Sequence, residues 1–153
     1  MNSEQPFPWS SLLNQFWGFN ALRAHQLGPV EALCSGQDTI AVLPTGGGKS
    51  LCYQLPGLVR GGTTLVISPL IALMQDQLDD LKARGIHAFS LAGISHAPTL
   101  ERILENTERC TPCFLFASPE KLKGQLVRIR LGRLDIRTVA VDEAHCISEW
   151  GHD

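Results

Sequence analysis

The chain has 153 residues, 44% hydrophobic and 18% charged, which excludes a disordered tail and suits one ordinary domain. Thirteen Lys and Arg against fifteen Asp and Glu give a net charge of −2, so no overall basic balance demands nucleic acid. No apolar run approaches the roughly 18 residues that cross a bilayer, and the start of the chain carries Glu4 but no Lys or Arg, unlike a signal peptide. Five Cys, an odd count for a disulfide framework, fit a reducing, cytoplasmic setting such as the bacterial cytosol or nucleoid.

Two short helical segments come first. Residues 10–17 form one, closed by Gly18. Residues 23–34 form the other; Gly28-Pro29 interrupts it, so its start falls anywhere from Arg23 to Pro29. Trp9, Phe16 and Trp17 read as packing residues of the first helix. Strands are predicted at 39–43, 63–68, 86–90, 113–117 and 138–141, each a near-continuous apolar run of the kind found in a parallel sheet covered on both faces. A helix over 69–84 has Pro69 at its start, Leu70, Leu73, Met74, Leu78 and Leu81 at helical spacing, and Gly85 just past its end. Helices over 98–108 and 119–131 follow, the last weakened by Gly124. This alternation predicts a doubly wound α/β fold: a mostly parallel sheet with helices on both faces.

Residues 39–50, Thr-Ile-Ala-Val-Leu-Pro-Thr-Gly-Gly-Gly-Lys-Ser, read strand, glycine-rich loop, helix. Gly46, Gly47 and Gly48, with Thr45, let the backbone approach a polyphosphate closely. The next helix points its positive N-terminus at the same anion. Lys49 would reach the β- and γ-phosphates of ATP, and the Ser50 hydroxyl would bind Mg²⁺. The strict phosphate-loop pattern is not met, because Leu43 stands at its first Gly position. The bland reading, a glycine-rich turn that binds nothing, does not explain Lys and Ser directly after three glycines.

Residues 138–145 are a strand ending in Asp142 and Glu143. Asp142 can hold Mg²⁺, usually through water, and Glu143 can orient and deprotonate an attacking water. Alone, this pair reads as a solvated strand end. Beside a phosphate loop it supplies the remaining parts of phosphoryl transfer. Charge is uneven here: residues 120–137 carry six cations and two acids, whereas 138–153 carry four acids and no Lys or Arg. The basic run reads as a solvated helix face or as a surface facing phosphates. Cys110 and Cys113 form a lone C-x-x-C, a chance spacing, since zinc needs four ligands. Cys34 and Cys52 read as small buried residues. His25, His87 and His96 read as incidental.

Several stretches together resemble the RecQ-type DNA helicases of helicase superfamily 2. Residues 43–56 (LPTGGGKSLCYQLP) resemble that family's motif I, and 66–77 (VISPLIALMQDQ) its motif Ia. Residues 117–122 (ASPEKL) resemble the next block, 18–26 (GFNALRAHQ) motif 0, and 142–153 (DEAHCISEWGHD) motif II with the start of the aromatic-rich loop. The resemblance covers nearly all of the chain in the right order. It implies a RecA-like ATP-binding lobe over 37–153, preceded by a motif 0 segment over 1–36. It implies that Gln26 bonds the adenine edge, Phe19 stacks on the base and Arg23 helps hold the nucleotide. Ala24 departs from the family's usual Pro there. His145 would couple the nucleotide site to a DNA-sensing loop containing Trp150 and His152. Ser68, Pro69 and Gln75, with Ser118 and Pro119 in the block 118–121, would line the path of single-stranded DNA. Phe19 and Trp150 also read as plain core residues, and Pro69 serves as a helix start whatever it binds.

The implied activity is ATP-dependent movement along DNA and unwinding at a single-strand junction, with ATP and Mg²⁺ as cofactors. The alternatives are a nucleotide-binding fragment without helicase activity and a translocase that does not unwind. By the same resemblance the chain is expected to stop after motif II, before a central strand of the sheet and before a second RecA-like lobe with its arginine finger. It is then expected to be marginally stable and to hydrolyse ATP negligibly.

Overall fold

The structure is a computed structural model that describes residues 7–44 and 46–149. Thr45, Trp150 and His152 lie outside the described residues. The chain divides into two compact units, one up to Arg60 and one from Gly61 onward.

The first unit is helical. Helix α1 (Ser10–Trp17) ends at Gly18, whose φ of 72° supplies the left-handed cap the sequence predicts. Helix α2 (Ala24–Cys34) carries Pro29 inside it, and α3 (Leu51–Arg60) carries Pro56. Trp9, Leu13, Val30, Leu51 and Leu55 form the core of this unit. Trp9 is buried, as expected of a packing residue, Phe16 and Trp17 are half-buried, and the Phe7 ring stacks on Trp9 at 5.1 Å.

The expected strand over residues 39–43 does not form. That segment has no regular structure, and Ile40 and Val42 are 95% and 91% exposed. A β-branched run has strand propensity, but a strand exists only where a neighbour completes its ladder and its side chains pack. The segment has neither.

The second unit is the α/β body. Strands β1 (Thr63–Ile67), β2 (His87–Ser90), β3 (Cys113–Ala117) and β4 (Ile136–Val141) make one sheet in the order β2-β3-β1-β4. All three pairings are parallel, as the sequence predicts. Helix α4 (Ile71–Ala83) lies against β2, while α5 (Ala97–Arg109) contacts β2 and β3. Leu65, Leu115 and Ala117 share a core with Leu100 and Leu104 of α5 and with Val127. Residues of the other strand parity, Val66, Phe114 and Phe116, are fully buried on the opposite face.

Three further elements differ from expectation. The helix expected to start at Pro69 starts at Ile71, because the Ser68 hydroxyl accepts the Leu70 N–H at 3.3 Å and holds that residue extended. The helix expected over 119–131 breaks into α6 (Pro119–Lys123) and α7 (Gln125–Leu131). Gly124 is extended there, with ψ 133°. Strand β4 begins two residues early, stands at the edge of the described sheet and is only partly covered on its faces. Val139 on β4 is 55% exposed.

The ends of β1 and β4 come unusually close at Gly62. Its φ is 63°, and a Cβ added there would lie 2.5 Å from the Asp135 carbonyl oxygen, which accepts the Thr63 N–H at 2.7 Å. Gly85 is also left-handed but has open space around it. Gly85→Ala should therefore lower stability by about 1–2 kcal/mol from left-handed strain alone. Gly62→Ala should lower it by clearly more, because backbone must move. Urea midpoints compare the two; equal losses would contradict this geometry.

Candidate functional site

The glycine-rich loop is described by contacts within the first unit. Arg23, His25 and Gln26, at the start of α2, each donate to its carbonyls. Arg23 Nη1 donates to Gly46 O at 3.2 Å, and His25 Nε2 lies 2.7 Å from Gly47 O. Gln26 Nε2 donates to Gly48 O at 3.2 Å and, more weakly, to Gly47 O at 3.4 Å. Gln26 is only 4% exposed, and its Oε1 accepts the Arg23 N–H at 2.9 Å.

These bonds decide where the loop's donors point. In a trans peptide the C=O of one residue and the N–H of the next are antiparallel. Tying Gly47 O and Gly48 O to residues 25 and 26 turns the N–H groups of Gly48 and Lys49 the opposite way. Gly48 has φ 74°, and a Cβ on it would run into Gln26 Nε2. Both facts call for glycine. Lys49 is exposed, and α3 rises directly from Lys49 and Ser50, whose carbonyls accept the Cys52 and Gln54 N–H groups at 3.0 and 2.9 Å. Oriented donors, a helix N-terminus and an exposed lysine are the parts an anion cradle would use. Phe19 is 53% exposed, so it is not a core residue.

The acidic pair is built in the second unit. Ile67 of β1 stands in register with both Ala117 of β3 and Val141 of β4, so Ser68, Ser118 and Asp142 leave the sheet at one carboxyl edge. That edge is where open α/β sheets hold ligands. The Asp142 N–H donates to Ile67 O at 2.9 Å, and its carboxylate is fixed from two sides. Oδ1 accepts the Glu143 N–H at 3.0 Å, and Oδ2 accepts Gln77 Nε2 at 3.2 Å. Glu143 has φ 53°, a left-handed conformation that a non-glycine residue holds at some energetic expense, as at many active sites. Its Oε2 lies 3.3 Å from His145 Nδ1. A pinned, partly exposed carboxylate suits Mg²⁺, which takes one or two carboxylates plus phosphate oxygens and keeps several waters.

Among the residues expected to line a DNA path, Ser68 and Ser118 are buried, whereas Gln75 is exposed and bonds Asp79 at 2.9 Å. Pro69 and Pro119 are half-buried. Sequence reading missed two residues. Gln77 closes the motif Ia stretch, but nothing in the spacing points to its partner Asp142, 65 positions away. His25, read as incidental, contacts the loop, and its only cue is its place inside motif 0. Cys113 is buried with its Sγ 3.6 Å from Thr63 Oγ1, and burial pushes its thiol up, as it does for Cys52. Both read as packing residues.

The chain belongs to the DEAD/DEAH box helicase family, whose pattern it matches over residues 23–153. Within it, the curated relatives are RecQ- and RecS-type DNA helicases. The chain is 48% identical over 142 residues to the probable ATP-dependent DNA helicase RecS of Bacillus subtilis, covering 92% of this chain and 28% of that protein. It is 41% identical over 145 residues to the ATP-dependent DNA helicase RecQ of B. subtilis, covering 94% and 24%. RecQ of Haemophilus influenzae is 41% identical over 143 residues, covering 94% and 23%. The chain thus spans about a quarter of the length of these relatives.

The loop geometry predicts a coupling. Gly48→Ala should destabilise the chain by more than the 1–2 kcal/mol of left-handed strain, because its Cβ meets Gln26. Adding Gln26→Ala should recover the excess. A double-mutant cycle with coupling below about 0.5 kcal/mol would contradict the contact.

Proposed function

We propose that this chain is the nucleotide-binding part of a RecQ-type, ATP-dependent DNA helicase. The observation that carries the reading is the glycine loop, with three successive carbonyls tied to Arg23, His25 and Gln26. The antiparallel N–H groups of Gly48 and Lys49 are left to a polyphosphate. The Lys49 ammonium then approaches the β- and γ-phosphates. Gln26 reads the adenine edge with the second lone pair of Oε1, Phe19 lies on the base, and Arg23 supports the loop. Thr45 completes the cradle.

Ser50 and Asp142 are the residues that would hold Mg²⁺, which when bound neutralises charge developing on the phosphates. Glu143 orients a water for attack on the γ-phosphorus and accepts its proton. His145, beside Glu143, fixes the direction of that carboxylate. Ser68, Pro69, Ser118 and Pro119, which follow β1 and β3, with Gln75 on α4 and with Trp150 and His152 after motif II in the sequence, are the proposed DNA-responsive residues. Binding there is mostly to phosphate and by stacking, hence salt-sensitive and nearly indifferent to sequence. The functional division places adenine recognition in 1–36 and the first RecA-like lobe in 37–153. DNA-driven turnover and unwinding of a single-strand junction belong to the whole protein, with a second RecA-like lobe. The proposed setting is the bacterial cytosol or nucleoid.

Lys49→Ala should weaken binding of Mg·ATP to this chain at least about tenfold, since a charge-assisted contact is worth roughly 1.5–3 kcal/mol. Its circular dichroism should not change. Glu143→Gln should leave that affinity within about twofold while removing ATP turnover in the whole protein. Equal affinity of Lys49→Ala and wild type would overturn the site assignment. Strand displacement set beside translocation separates a helicase from a translocase.

A further inference from the structure

We propose that His25 is a positioning residue of the phosphate loop, a role that rests on the nucleotide-binding reading above. Its Nε2 sits 2.7 Å from Gly47 O, the shortest of the contacts that tie the loop to the start of α2. A carbonyl can only accept, so the imidazole donates from Nε2 and its proton is on that nitrogen. The bond fixes the peptide between Gly47 and Gly48, and the antiparallel geometry of that peptide aims the Gly48 N–H away from α2.

The neighbouring peptides do not do this for it. The Gly47 N–H is already used within the loop, donating to Pro44 O at 2.9 Å. Gln26 holds Gly48 O at 3.2 Å and so governs the Lys49 N–H, reaching Gly47 O only at 3.4 Å. Gly48 itself has φ 74° and lacks a Cβ, so its peptides rotate easily. Without the imidazole, the Gly47 carbonyl keeps only the long Gln26 contact, and the Gly48 N–H samples directions that miss the ligand. His25 touches no nucleotide atom in this scheme; it orders the group that does. Because its ring is exposed, the residue carries little packing weight, and replacing it leaves the helix intact.

The test uses the 153-residue chain and three variants. His25→Ala removes the donor. His25→Gln places an amide nitrogen where Nε2 stands, whereas His25→Asn reaches only as far as Nδ1. Affinity for Mg·ATP should fall about three- to tenfold in His25→Ala, the worth of one ordinary hydrogen bond. It should return in His25→Gln and stay low in His25→Asn. In the ligand-free chain, the Gly48 amide resonance should shift in His25→Ala and move back in His25→Gln. Wild-type affinity in His25→Ala, or an unmoved Gly48 resonance, would overturn the proposal. If the wild type binds no ATP, the nucleotide reading falls, and the Gly48 resonance alone then decides whether His25 orders the loop.

Discussion

Three hydrogen bonds to the carbonyls of Gly46, Gly47 and Gly48 set the character of the candidate nucleotide site. A glycine-rich loop free in solution spreads its peptides over many orientations, and ordering them when a ligand arrives would consume binding energy. Here the residues opening α2 have already ordered them. The donors come from Arg23, His25 and Gln26, and the last is almost fully buried. Glycine at 48 follows from the same contact, since any Cβ would occupy the space of the Gln26 amide.

The acidic pair obeys a similar logic with different parts. Parallel register places Ser68, Ser118 and Asp142 along one edge, and the strand ends hold their backbones. Asp142 cannot turn freely, because its two oxygens are engaged by the Glu143 N–H and the Gln77 amide. The strain at Glu143 is compatible with this, for the same turn that forces φ to 53° delivers its N–H to Asp142. Both sets of groups are therefore oriented by hydrogen-bond donors from neighbouring residues, the Arg23 guanidinium and the Gln26 amide in one and the Glu143 N–H and Gln77 amide in the other.

Much of the fold was legible because burial dominates it. Residues 113–117 form a strand with the predicted bounds, and all five are buried, so periodicity and packing agree. Residues 39–43 (Thr-Ile-Ala-Val-Leu) are richer in β-branched side chains than 113–117 (Cys-Phe-Leu-Phe-Ala) but have no ladder partner among the described residues, and propensity alone does not hold a strand. Gly124 was visible as a weak point, but only the structure shows that the chain turns extended there and starts a second helix. In the candidate site, Lys49, Ser50, Asp142 and Glu143 could be named from local spacing. Gln77 and His25 could not. Their roles come from partners 65 and 22 positions away, and nothing in a linear pattern marks a side chain that serves another residue's backbone or carboxylate.

The most direct measurement is a crystal structure of the chain with a non-hydrolysable ATP analogue and Mg²⁺. The account predicts phosphate oxygens on the Gly48 and Lys49 N–H groups, with Gly46 O and Gly47 O still bonded to Arg23 and His25. Phosphates bound elsewhere, or a loop whose carbonyls have left those two residues, would contradict it.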